Sequence, residues 1–171
     1  MPAFFLDRYP VTNSQWREFR PGHQYPKEME NHPMVNVSFL EATMYARWKG
    51  KRLPTETEWE AAARGPQGRI YPWGQMPDPQ RANCAEHKLK TTTPVTQFPT
   101  GVSNCGARDM MGNVQEWVDE WGSALDNAST RVTKGGGRGI TAPKLQCWLR
   151  TFALPITKNI NIGFRCAKNV G

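Results

Sequence analysis

The sequence predicts an irregular α+β fold in which two or three short helices pack on a small twisted antiparallel sheet and much of the chain is loop. Three observations predict it. Fifteen Gly and 14 Pro among 171 residues break the backbone too often for a helix bundle. Helical periodicity appears only in short stretches, each behind a capping signal. The C-terminal third breaks into brief strand-like runs between glycines. At this length the chain, residues 1–171, forms a single domain with a real core.

The elements follow in order. "MPAFFLD" reads as the start of a strand, and Pro10 then turns the chain. Thr12, Asn13 or Ser14 caps a short helix that places Trp16 and Phe19 on one face. "PGHQYPKEMENHP" is a polar loop. Ser38 and Glu41 form a capping box before Phe39, Ala42, Tyr45 and Ala46, which recur at helical spacing until Gly50 stops the run. Thr55 and Glu58 form a second box before Trp59, Ala62 and Ala63, and Gly65 ends that helix. The stretch from Pro66 to Met110 is loop-rich, with short strands or turns around "TPVTQF". In "GNVQEWVDEW" the four-residue spacing of Trp117 and Trp121 suits a helical face or a strand. The tail "RVTKGGGR", "QCWLRTF" and "NIGFRCAK" reads as three short strands, with the glycines beginning one of them.

Composition narrows the function classes. The net charge is +7, but Lys and Arg are scattered and form no basic stripe, which argues against a nucleic-acid surface. No apolar run reaches membrane-spanning length, so no insertion is expected. No signal peptide opens the chain, and a cytoplasmic location is the expectation. Cys84, Cys105, Cys147 and Cys166 form no CxxC pair, which argues against zinc. Reduced thiols are expected, with a disulfide as the alternative.

Taken together, "PVTNSQWREF", "GKRLPTETEWEAAARG", "YPWG", "GNVQEW" and "IGFRCAK" resemble the formylglycine-generating-enzyme (sulfatase-modifying factor) domain family over nearly the whole chain. The resemblance implies a variant of the C-type lectin fold. It implies one of several activities: copper-dependent oxidation of a sulfatase cysteine, iron-dependent sulfoxide synthesis, or ligand binding without catalysis. The last group includes hypervariable proteins diversified by retroelements.

The oxidases of this family carry two cysteines five residues apart after the glycine-rich strand, a soft-donor pair suited to Cu(I). Here the two possible registers place Ile140 and Leu145, or Gly137 and Ala142, at those positions. The copper site is absent, and no catalytic residue is assigned. Cys147 is read as a small core residue on a strand, with no His near it in sequence to activate it. His23, His32 and His87 have no ligand spacing, so iron is not expected either.

The resemblance also implies calcium as a structural ion. Its oxygen ligands would be Asn113, the Val114 carbonyl and Glu116, with a second set beginning at Asn83 and the Cys84 carbonyl. The family's "GGSW" is here "GGGR", which puts Arg138 where a core Trp is usual. Trp148 is expected to fill that core space and Arg138 to be exposed.

From Arg138 onward the chain mixes apolar residues with cations. Arg138, Ile140, Thr141, Lys144, Gln146, Trp148, Thr151, Phe152, Leu154, Ile156, Lys158 and Ile160 have the composition of a recognition surface. Adenine-directed mutagenesis of AAC or AAT codons yields Ile, Thr, Phe, Leu or Arg but never Lys, Gln or Trp. In a diversified tail Lys144, Gln146, Trp148 and Lys158 would therefore be fixed. The expected function is a non-catalytic ligand-binding domain whose surface spans about 137–160 and takes a protein or peptide. The alternative is a divergent metal-dependent oxidase or maturation factor.

Overall fold

The computed structural model describes residues 2–123 and 129–171. Among these, strand β1 (Phe4–Leu6) precedes helices α1 (Asn13–Phe19), α2 (Phe39–Trp48) and α3 (Glu56–Arg64). Strands β2 (Gln115–Trp121), β3 (Arg131–Lys134), β4 (Arg150–Ala153), β5 (Ile162–Gly163) and β6 (Ala167–Asn169) follow after a long irregular stretch.

Each helix starts where a side chain satisfies its free backbone amides. Thr12, Ser38 and Thr55 accept from the third helical N–H, and Gln15, Glu41 and Glu58 reach back to the cap amide, so all three ends are full capping boxes. Helices α2 and α3 stop as their glycines dictate: Gly50 and Gly65 have φ of 67° and 63°, a region costly for other residues. The faces expected of α2 and α3 are the buried ones.

The main sheet has the order β4-β3-β2-β5. Its first two pairings are antiparallel, but β5 runs parallel to β2, so the sheet is mixed rather than purely antiparallel. A separate pair joins the two ends of the chain, with Phe4 opposite Asn169 and Leu6 opposite Ala167. "GNVQEWVDEW" is a strand; residues four apart share a face in a strand as well as in a helix, so the two Trp did not discriminate. The "TPVTQF" stretch forms turns only, and the polar loop near residue 28 contains a single 3₁₀ turn. The glycine run does not begin a strand. It ends β3, with φ of 85°, 69° and 158° at Gly135, Gly136 and Gly137.

Neighbouring residues of β2 point into two different cores. Trp117 enters one with Trp16, Phe39, Tyr45 and Phe164. Val118 enters the other with Trp59, Met110, Val132 and Leu145. Between the cores lies a fully buried ion pair. Arg165 Nε and Nη2 donate to the two oxygens of Glu116 at 2.7 and 2.8 Å, and Trp59 Nε1 donates to Glu116 Oε2 at 2.8 Å. Arg165 also donates to the carbonyls of Asp7, Arg8 and Arg108. Removing the carboxylate charge strands a buried guanidinium, a loss of about 3–5 kcal/mol. Glu116→Gln is therefore expected to lower the urea midpoint strongly; an unchanged midpoint would show that the carbonyls alone satisfy Arg165.

Candidate functional site

The segment expected to form one surface is distributed over three neighbourhoods. The first lies along α3. Trp148 is exposed at 41% and Phe152 at 36%. The Arg64 guanidinium sits 5.4 Å from the Trp148 ring centre, and the Arg150 guanidinium 5.3 Å from that of Phe152. Trp148 therefore does not fill the core space at position 138, contrary to expectation. Leu145, 1% exposed, is the residue that enters the second core, beside Leu149 and against Gly136.

The second neighbourhood is the turn Ala142–Lys144 and its flanks. Glu86 accepts the Ala142 amide at 2.9 Å, and Tyr71 Oη donates to the Pro143 carbonyl at 3.1 Å. Thr141 and Lys144 are exposed there, while Ile140 packs against the second core and Gln146 is half-buried. The third is the loop between β4 and β5, laid against the start of α2. The Phe39 and Asn36 amides donate to the carbonyls of Pro155 and Asn159, both at 3.0 Å, and Lys158 pairs with Glu41 at 2.7 Å. Leu154, Ile156 and Ile160 are exposed there at 47%, 72% and 56%.

Arg138 is half-buried rather than exposed. Its Nη1 donates to the Ile160 carbonyl at 3.2 Å, which ties the glycine run to the end of that loop, and burial holds its pKa below the ordinary guanidinium value. Thr151 is also half-buried, its hydroxyl 2.5 Å from that of Thr133.

Sequence reasoning missed the group that orders the first neighbourhood. Lys134 is fully buried and contacts Glu56 at 3.2 Å and Glu60 at 3.0 Å. Glu56 also pairs with Arg150 at 3.0 Å, and Glu60 with Arg64 at 2.9 Å. The signal was present: Glu56, Glu60 and Arg64 recur every four residues and so line one face of α3. Lys134 pulls the Glu60 carboxyl below the usual range against the opposing effect of burial, and Arg64 adds to that pull.

The four cysteines are free, and only Cys105 is exposed. Cys147 lies in the turn before β4 rather than on a strand, with its amide donating to the Ile70 carbonyl at 2.9 Å. It is wholly buried as expected, and burial pushes its thiol up to about 12. That is the wrong direction for a thiolate nucleophile or a copper ligand. His23, His32 and His87 bond separately to Asn13, Thr92 and the Pro79 carbonyl. Among the described residues no three His, Cys, Asp or Glu side chains converge as metal ligands.

Most of the oxygens considered for calcium, those of Glu116, Asn113 Oδ1 and the Cys84 carbonyl, are engaged by protein donors. Both oxygens of Glu116 serve Arg165. Asn113 Oδ1 accepts from the Thr93 amide at 2.9 Å and from Asn83 Nδ2 at 3.2 Å, while its Nδ2 donates to Asp109 at 2.9 Å. The Cys84 carbonyl accepts from the His87 amide. Asn83 Oδ1 and Thr93 Oγ1 remain buried without a protein partner, a neutral pair that suits a bound water better than a hard dication, which takes six to eight oxygens and favours carboxylates. These residues do not fit a calcium cage. Chelator and added calcium should both leave the melting temperature unmoved; a fall on chelation would reveal a stabilising ion.

A loop-rich α+β domain with a small mixed sheet, its ends joined by a strand pair and its C-terminal segment displayed at the surface, defines the C-type-lectin-like class. Within that class the chain belongs to the sulfatase-modifying factor enzyme 1-like domain family, which matches residues 1–170. It is 36% identical to the inactive C-alpha-formylglycine-generating enzyme 2 of Bos taurus, over 95% of this chain and 58% of that protein. It is 31% identical to the formylglycine-generating enzyme of Mus musculus, over 92% of this chain and 50% of that one. The chain thus spans between half and three fifths of these curated relatives. In fold it is similar to Treponema denticola variable protein 1, with a TM-score of 0.84, 19% identity, and coverage of 98% of this chain and 84% of that one.

The Trp148 geometry has a direct consequence for stability. A buried Trp costs about 3–5 kcal/mol on truncation, whereas a ring left partly in water beside an Arg loses far less. Trp148→Ala is expected to shift the denaturation midpoint only slightly; a loss as large as that for a core Trp would contradict the exposed placement.

Proposed function

We propose that this domain is a non-catalytic, ligand-binding member of its family, with its surface on the segment 137–160 and a protein or peptide as ligand. The observation that carries the reading is the exposure of Trp148, Phe152, Leu154, Ile156 and Ile160 on a segment that has no thiol pair. Large apolar side chains held in water without a covering element are the usual mark of a binding face. Aromatic and Arg residues are those most often found at binding hot spots.

Two further observations support it. The one cysteine of the segment, Cys147, is sealed in the core and shifted away from thiolate formation. The similarity to the inactive C-alpha-formylglycine-generating enzyme 2 of Bos taurus supports a reading without catalysis. Under the same reading, retroelement diversification acts on exposed residues such as Ile156 and Ile160, while Trp148 and Lys144 stay constant.

The discriminating experiment supplies the domain with a sulfatase-type cysteine peptide, oxygen and Cu(I). The peptide mass is expected to stay unchanged. Formylglycine in the product would replace this reading with that of a divergent oxidase.

A further inference from the structure

The positive charge of this protein is unevenly placed. Residues 127–171 hold eight of the 22 Lys and Arg and none of the 15 Asp and Glu, which gives that stretch +8. Residues 1–126 hold the other fourteen bases and all fifteen acids, which gives −1. Along the sequence the net charge thus falls in the part that carries the proposed surface, while in the fold five of its eight bases, Arg131, Lys134, Arg150, Lys158 and Arg165, pair with acids of residues 1–126.

The described ion pairs show how this charge is arranged along α3. Arg150, Glu56, Lys134, Glu60 and Arg64 form one continuous ladder, with links of 3.0, 3.2, 3.0 and 2.9 Å. Lys134, at the centre, is fully buried and uses both glutamates. A buried ammonium without its carboxylates is very costly, so the two glutamates are held in place. They in turn hold the two terminal guanidiniums, each against one exposed ring, Trp148 or Phe152. The three cations exceed the two carboxylates, and both carboxylates are taken up inside the ladder. What the surface offers outward is two fixed aromatic rings in a field of excess positive charge.

We infer that this face, alongside α3, binds an acidic polypeptide segment carrying apolar anchors, an inference that rests on the ligand-binding reading above. The anchors pack beside Trp148 and Phe152, and the carboxylates lie in the positive field of the ladder. Fixing the rings in advance lowers the ordering cost of binding. A peptide fits better than a nucleic acid. The outer cations of the ladder, Arg150 and Arg64, each already bond a carboxylate and lie against an aromatic ring. A phosphate backbone calls instead for a dense row of uncommitted bases.

The test uses the whole chain and three fluorescent probes: a short peptide alternating Glu with Phe and Leu, the same peptide with Lys in place of Glu, and oligothymidylate. Anisotropy should show binding of the Glu peptide, weakened by added salt, and none of the Lys peptide. Trp148→Ala and Phe152→Ala should each weaken it by about tenfold or more. Phe5→Ala, at an exposed Phe on β1, should change nothing, and melting curves should confirm that every variant is folded. Failure of the Glu peptide to bind, equal binding of the Lys peptide, or preference for oligothymidylate would overturn the acidic-peptide assignment. If the Lys peptide binds with the same dependence on Trp148, the surface stands and only its charge preference falls. Binding that ignores both Trp148→Ala and Phe152→Ala would place the ligand elsewhere, and formylglycine production, measured separately, would remove the underlying reading itself.

Discussion

Arg165 makes every one of its contacts in the dark. Its guanidinium reaches a carboxylate on β2 and backbone carbonyls in two segments distant in sequence, and the same carboxylate receives the indole of Trp59 from α3. A planar group with five donors can join this many elements because its geometry is fixed in advance. In a domain where regular strands are short, this cluster does the work that long ladders do elsewhere. It sets the distance between α3 and β2 and anchors the C-terminal tail to the N-terminal segment. The strand pair β1–β6 then closes the molecule around it.

Close backbone approaches complete that arrangement. Gly112, with φ of 71°, lets the chain pass so near the Asn83 carbonyl that an added Cβ would lie 2.3 Å from it. The neighbouring Asn113 amide donates to that carbonyl at 2.8 Å, and the Asn113 side chain spends its oxygen on Thr93 and Asn83. Asp109 lies in the same knot, and burial raises its carboxyl to about 7. The turn motif is thus held by internal hydrogen bonds, with Asn113 Oδ1 and both Glu116 oxygens on protein donors.

A second buried charge, Lys134, plays the corresponding part along α3. The two clusters share Trp59, whose indole nitrogen serves Glu116 while its ring lies 5.9 Å from the Lys134 ammonium. One ion pair fixes the framework, and the other fixes the exposed rings. A rigid framework with an irregular, displayed segment is how function is grafted on a fold without altering the fold.

Sequence alone determined whatever depends on neighbours along the chain. The Ser38 and Thr55 boxes, the stops at Gly50 and Gly65, the buried faces of α2 and α3 and the core placement of Cys147 are local matters of capping, backbone freedom and periodicity. The family motifs named the fold. The tertiary structure decided what depends on distant partners. Residues four apart share a face in a helix and in a regular strand alike, so only pairing with β3 settled the element, and an irregularity between Trp117 and Trp121 then buried the first and exposed the second. Trp148 and Leu145 are both apolar and three residues apart, and only the packing around Gly136 decided which of them enters the core. Glu116 is as good a calcium ligand as an arginine partner until Arg165, 49 residues later, arrives beside it. A carboxylate takes its role from the cation the fold delivers, and that delivery is not written in its own stretch of sequence.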